Sequence, residues 1–187
     1  FIAEKMQAIE EEGKEKFLFG FEESNGYLAG DFVRDKDAVI ASALIAEAAL
    51  YYKETQNKSL LDVLEDIYAQ FGYYIEDQIS VTLKGKEGSE KIAQIMTWLR
   101  QTPIKKLGSH EIAAIEDYLN AHTGLPKSNV IRYMLREGGF VMARPSGTEP
   151  KIKFYFLVKA SDRNQAEQIM EDVKNSFLQP LKQEFKF

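Results

Sequence analysis

Residues 140–158 read Phe-Val-Met-Ala-Arg-Pro-Ser-Gly-Thr-Glu-Pro-Lys-Ile-Lys-Phe-Tyr-Phe-Leu-Val. An apolar run, Phe140 to Ala143, leads in. A second run alternates on the way out, with Ile152, Phe154, Phe156 and Val158 on one side. Period-two alternation marks a half-buried strand, so residues 144–150 form a tight connection between two strands. The contents of that connection suit an anion. Arg144 offers a planar fork of donors that matches phosphate oxygens. Ser146 and Thr148 add hydroxyl donors, and Gly147 lets backbone N–H groups approach closely. An ordinary Pro/Gly hairpin with an exposed arginine is the competing reading. An arginine, two hydroxyls and a glycine packed together favour phosphate.

Working outward, the surrounding segments build an antiparallel sheet with helices. Residues 74–83 read as extended. Ser89 to Arg100 carries Ile92, Ile95, Met96 and Leu99 on one helical face, and Pro103 stops it. Val130–Leu135 and Phe140–Ala143 form a hairpin across Glu137-Gly138-Gly139. After the 151–158 strand, Ser161 or Asp162 caps a last helix whose inner face is Ala166, Ile169, Met170, Val173 and Phe177, ending before Pro180. Four antiparallel strands with two helices on one face fit this pattern. The first third is different. A helix over 2–12 ends at Gly13, and a short strand covers 17–21. A wide apolar, alanine-rich helix over 36–54 suits packing against a sheet. Ser59 with Asp62 forms a capping-box variant, opening a helix with Leu60, Leu64, Ile67, Tyr68 and Phe71 inward. Gly72 closes that helix, and the domain boundary is expected just after it, giving segments 1–72 and 73–187.

A second loop points towards a sugar. Residues 20–27 read Gly-Phe-Glu-Glu-Ser-Asn-Gly-Tyr after the apolar run Phe17-Leu18-Phe19. Glu22 and Ser24 can accept from and donate to sugar hydroxyls. A solvated acidic turn is the plain alternative. Gly30-Asp31-Phe32-Val33-Arg34-Asp35-Lys36-Asp37 follows, ahead of a long apolar helix. Taken together, these motifs resemble the α-D-phosphohexomutase superfamily, the phosphoglucomutase and phosphomannomutase enzymes, in order and spacing over nearly the whole chain.

The resemblance implies a fold: the C-terminal part of an α/β/α third domain, then an α+β, TATA-binding-protein-like fourth domain with an antiparallel sheet and two helices. It makes residues 111–118, ambiguous on propensity, a strand. It implies that Glu22 and Ser24 hold the sugar, and that Arg144, Ser146, Gly147 and Thr148 hold the non-transferring phosphate. Gly147 stands where phosphomannomutase relatives often carry Asn. Lys36 lies where the family places a residue implicated in proton transfer. It is an acid/base or phosphate contact, or a salt-bridge partner of Asp35 or Asp37. As a base it would need a lowered pKa.

The implied activity is interconversion of hexose 1-phosphate and hexose 6-phosphate through a phosphoserine and a hexose 1,6-bisphosphate intermediate, with Mg2+. The Glu-Glu-Ser loop and the Arg-Asp-Lys-Asp continuation favour phosphoglucomutase, with phosphomannomutase as the near alternative. The family's phosphoserine loop and aspartate-rich metal loop do not occur in this sequence, which begins at Phe1. The chain is therefore expected to be the C-terminal part of a longer enzyme, to contain no metal ligands, to partner domains one and two of that enzyme, and to be inactive alone. A stand-alone phosphosugar-binding module is the alternative from another class.

Composition bounds the rest. The chain has 187 residues, 44% hydrophobic and 28% charged, ordinary values for a globular protein. A net charge of −5 with no long basic run argues against a nucleic-acid groove, although the expected fourth-domain fold resembles a DNA-binding one. The absence of cysteine removes disulfides and thiolate metal sites and fits the cytoplasm. No apolar run reaches membrane-spanning length.

Overall fold

The computed structural model describes residues 2–22, 26–120 and 125–187. The chain divides into two compact units, Phe1–Ile67 and Tyr68–Phe187.

The first unit contains α1 (Ile2–Glu12), the strands β1 (Phe19–Glu22) and β2 (Gly26–Ala29), α2 (Ala38–Gln56) and most of α3 (Leu60–Phe71). β1 and β2 pair antiparallel, from Phe19 opposite Ala29 to Glu22 opposite Gly26. The sequence reading had only the first of these strands. β2 was missed because Gly26-Tyr27-Leu28-Ala29 is too short to show alternation. The helix boundaries follow their caps. Asp37 accepts from the N–H groups of Val39 (2.8 Å) and Ile40 (3.2 Å) and so opens α2. Ser59 N–H donates to Asp62 at 2.8 Å, and Asp62 N–H donates back to Ser59 Oγ at 3.2 Å. This is the reciprocal capping box expected for α3.

One expectation fails in this unit. Leu64, Ile67 and Phe71 do not point into a core, and no residue of α2 or α3 is buried. Val39 is 81% exposed and Leu61 74%. The physical reason is area. Among the described residues the sheet of this unit is one hairpin of two four-residue strands, and the buried side chains are Leu28 of β2 and Met6 of α1.

The second unit is built on a sheet of β3 (Tyr73–Thr82), β4 (Lys106–Leu107), β5 (His110–Asp117), β6 (Ile131–Leu135), β7 (Gly139–Pro145) and β8 (Lys151–Ala160). The order is β3-β8-β7-β6-β5-β4, antiparallel throughout. It has six strands where four were expected, because β3 pairs with β8 along its full length and β4 adds a two-residue edge. Helices α4 (Gly85–Gln101) and α5 (Arg163–Phe185) pack against it. Ile152, Phe154, Phe156 and Val158 of β8 are all buried, as alternation requires. They meet Ile92, Ile95, Met96 and Leu99 of α4 and Val173, Phe177 and Leu181 of α5 in one core. The phenyl ring of Phe177 stands edge-on to Tyr133 (5.9 Å), Phe154 (5.6 Å) and Phe156 (6.0 Å). The β6–β7 hairpin needs its glycines. Gly139 has φ of +97°, and a Cβ there would sit 2.1 Å from the Leu157 carbonyl oxygen.

Two helix limits differ from the sequence reading. α4 begins at Gly85, four residues before Ser89. α5 does not end before Pro180; it continues to Phe185. An interior proline costs about 3 kcal/mol. Full burial of one leucine returns about 1.5–3 kcal/mol. Beyond the proline Leu181 is fully buried, and Phe185 packs edge-on to Trp98 at 6.4 Å. The packing outweighs the broken hydrogen bond.

Candidate functional site

The turn between β7 and β8 is set by the strands on both sides. Arg144 pairs with Lys153 and Pro145 with Ile152, so Arg144 leaves the sheet at its last rungs. Ser146 N–H donates to the Lys151 carbonyl at 2.8 Å and closes the turn. Ser146 Oγ accepts from the N–H groups of Thr148 (3.4 Å) and Glu149 (3.3 Å). The serine hydroxyl therefore shapes the loop and still has its own proton to donate. The Pro150 carbonyl accepts from Leu83 N–H at 2.9 Å, which ties the turn to the end of β3.

The turn forms one wall of a cleft of about 480 Å³. Arg144, Pro145, Ser146, Gly147, Glu149 and Pro150 line it, together with Ser89, Ile92 and Ala93 of α4 and Ser128 and Asn129 ahead of β6. Arg144 is exposed and makes no ion pair or side-chain hydrogen bond with any described residue. The one carboxylate on the wall, Glu149, is occupied. Lys151 Nζ lies 2.8 Å away and holds the Glu149 carboxyl below its usual range. Three of the four expected phosphate residues, Arg144, Ser146 and Gly147, line the cleft. Thr148 does not line it, and its N–H is spent on Ser146. A Cβ at Gly147 would meet no heavy atom within 4 Å, so nothing in the chain itself demands glycine there.

Ser89, Ser128 and Asn129 went unnoticed in the sequence. They sit about 15 to 60 residues from the motif along the chain, and no local pattern ties them to it. The only signal was Ser128-Asn129, a polar pair abutting the strand that starts after Val130.

The sugar-loop residues lie in the first unit. Glu22 ends β1. Ser24 falls outside the described residues. Lys36 Nζ lies 3.4 Å from Glu22 Oε1 and 2.9 Å from Asp35 Oδ1. These carboxylates, Asp35 first, raise the Lys36 pKa above its usual value. A general base needs the opposite shift. Lys36 is thus a held cation, fit to bind an anion and not to exchange a proton near neutral pH. Asp35 is the salt-bridge partner, whereas Asp37 is committed to capping α2. A second cleft, of about 700 Å³, runs from Phe19, Gly26 and Tyr27 past Lys36 to the Ala41–Ala48 face of α2.

Both sites have relatives with known names. Residues 1–71 match the model of the phosphoglucomutase/phosphomannomutase alpha/beta/alpha domain III, and residues 101–176 match that of the phosphoglucomutase/phosphomannomutase C-terminal domain. The chain belongs to the phosphoglucomutase/phosphomannomutase family. Phosphoglucomutase of Staphylococcus aureus strain MRSA252 is 42% identical over 173 residues, covering 87% of this chain and 31% of that protein. The strain RF122 protein is 42% identical over 170 residues, covering 85% and 30%. The chain thus spans a little under a third of the curated relatives it matches. The open form of pp63/parafusin, a phosphoglucomutase from Paramecium, has the same fold, with a TM-score of 0.69 over 97% of this chain at 17% identity and 33% of the Paramecium chain covered. The matched ranges include the β1–β2 loop and the β7–β8 turn.

Among the described residues no helix is long and apolar enough to cross a membrane.

Proposed function

We propose that this chain supplies the sugar-binding and phosphate-binding parts of a phosphoglucomutase, with the boundary between its third and fourth domains just after Gly72. The enzyme interconverts glucose 1-phosphate and glucose 6-phosphate through a phosphoserine and a glucose 1,6-bisphosphate intermediate. The names of the Staphylococcus relatives support glucose over mannose. Hexose phosphates are the ligands, domains one and two of the longer protein are the partners, and the cytoplasm is the compartment. Arg144, Ser146 and Gly147, which line the cleft, hold the phosphate that is not being transferred, and Thr148, outside the lining, supports the turn through its N–H bond to Ser146. Glu22 and Ser24 hold sugar hydroxyls, with Lys36 as a protonated neighbour.

The observation that carries the reading is the state of Arg144. It is a guanidinium without a carboxylate partner, beside a serine hydroxyl, in a cleft of ligand size. A phosphate placed there gains bidentate, charge-assisted hydrogen bonds. The work of this site is positioning, on which phosphoryl transfer chiefly depends. Holding the distal phosphate fixes the other end of the sugar for reaction. The bisphosphate can present either end to the same clamp, because the donors read phosphate oxygens and not the carbon that bears them.

Mg2+ belongs to the proposed chemistry, but the residues do not fit it here. Among the described residues no group of three or more His, Asp or Glu could hold a metal ion. No step is assigned to it in this chain.

The test is calorimetric titration of the chain with glucose 6-phosphate. Saturable binding, weakened about 10- to 100-fold by Arg144→Ala, is the expected result. Equal affinity of parent and Arg144→Ala would overturn the assignment.

A further inference from the structure

Beside Arg144, in the same cleft, stands an amide whose orientation is fixed: Ile131 pairs with Ala143, so Asn129, two residues earlier, comes alongside Pro145. Arg100, in the last turn of α4, donates from Nε to Asp117 Oδ2 at 3.0 Å and from Nη2 to Asp117 Oδ1 at 3.2 Å. The same Nη2 donates to Asn129 Oδ1 at 2.7 Å. Asp117 is locked in turn by Asn120 Nδ2 at 2.6 Å and Leu119 N–H at 3.1 Å. A guanidinium has no acceptor, so only the carbonyl oxygen of Asn129 can face it. The amide nitrogen is left with two donors, and no described residue accepts from them. Asn129 lines the same cleft as Arg144 and Ser146.

We propose that Asn129 is a further phosphate ligand, donating from Nδ2 to an oxygen of the phosphate held by Arg144 and Ser146, and that Arg100, fixed by Asp117, is the positioning residue that aims it. This deepens the proposed function and rests on the cleft being a phosphate site. The arrangement has a physical logic. A neutral amide adds donors to the site without adding a second cation. Arg100 is itself neutralised by Asp117, and it orders Asn129 before the ligand arrives, which lowers the entropy lost on binding.

The test uses the chain with inorganic phosphate and glucose 6-phosphate as probes, read by calorimetry, with thermal melting as a check of folding. Asn129→Asp is the decisive variant. Its carboxylate keeps the bond to Arg100, so a merely structural role survives, but it turns two donors into a negative charge beside the phosphate. Binding of both probes is expected to fall by more than about 30-fold with no loss of thermal stability. Asn129→Ala is expected to weaken both by about 5- to 10-fold. Arg100→Ala is expected to weaken binding by a similar factor. The double variant Arg100→Ala/Asn129→Ala is expected to be no weaker than Asn129→Ala, because Arg100 acts through Asn129. Parent-like phosphate binding by Asn129→Asp, with Arg144→Ala impaired, would overturn this inference and leave the site standing. A loss confined to glucose 6-phosphate would overturn the assignment to a phosphate oxygen. Parent-like binding by Arg144→Ala would bring down the phosphate site and this inference with it.

Discussion

The hydroxyl of Tyr133 donates to the carbonyl oxygen of Leu99 at 2.8 Å in the core of the second unit. That carbonyl would ordinarily accept from the N–H four residues on, but position 103 is proline and has none. A strand side chain thus satisfies a helix-terminal acceptor that the helix's own sequence abandons. Burial also pushes the Tyr133 phenol well above its usual pKa, so it stays a donor at any ordinary pH. Tyr133→Phe leaves the Leu99 carbonyl buried and unpaired. The expected cost is about 1–3 kcal/mol, read as a lower urea midpoint with an unchanged m-value.

Phe177 is the central ring of the same core, in contact with Tyr133, Phe154 and Phe156. It is 2% exposed, and its removal would leave a cavity bounded by those three rings. Phe177→Ala should therefore destabilise by about 3–5 kcal/mol. Equilibrium denaturation of the purified variant gives the number. A loss under about 1 kcal/mol would mean the core refills.

Ser146 has two duties in the β7–β8 turn, accepting two loop N–H groups and offering a proton to the cleft. Removing its oxygen should loosen the turn and delete one donor. Ser146→Ala is expected to weaken glucose 6-phosphate binding by about 3- to 10-fold while leaving the thermal midpoint nearly unchanged, since the loop is exposed. Ser146→Thr should recover most of the affinity, a result that loss of bulk alone would not produce.

Acid should act on the second unit through its depressed carboxylates, Glu116 beside Arg132 and, above all, Asp117 and Asp77. Burial pushes Asp117 up, but its hydrogen bonds from Arg100, Asn120 and the Leu119 N–H outweigh that and leave it below the usual value. Lys174 lowers Asp77. A carboxylate depressed in the folded state adds stability that is fully present above its unfolded pKa and disappears as pH falls through the folded one. Stability should be flat near neutrality and decline below about pH 4. In Asp117→Asn that decline should be shallower, as followed by urea midpoints across the acid range. An identical slope in parent and variant would detach Asp117 from the acid response.

Much of the second unit could be read from the chain because its signals are local. β8 alternates from Lys151 to Val158, and Ile152, Phe154, Phe156 and Val158 are all buried. Gly138-Gly139 announces a hairpin that forms where expected. Errors arose where distant packing decides. Pro180 looked like a stop, yet Leu181 and Phe185 draw the helix onward. α2 and α3 have apolar faces suited to a sheet, but periodicity says which side is apolar and not what covers it. The run from Arg144 to Pro150 that lines the cleft is contiguous in sequence; Asn129 comes beside it through the pairing of β6 with β7 and is held by Arg100. Lys36 shows the same limit for charge, because Glu22 comes beside it only when β1 and β2 pair.

The pairing of β3 with β8, from Tyr73 opposite Ala160 to Thr82 opposite Lys151, has a consequence for biosynthesis. On a ribosome, β3 emerges long before its partner exists. At about 5–20 residues per second the delay is on the order of several seconds. During that interval Ile75, Ile79 and Val81 have no strand beside them, and the adjacent backbone donors are paired only with water. Closure is also governed by long-range contacts, which slow folding. The nascent chain therefore passes through a window in which a ten-residue edge is available to chaperones or to another copy of itself, and codon changes that lengthen translation between Leu83 and Lys151 should raise the insoluble fraction.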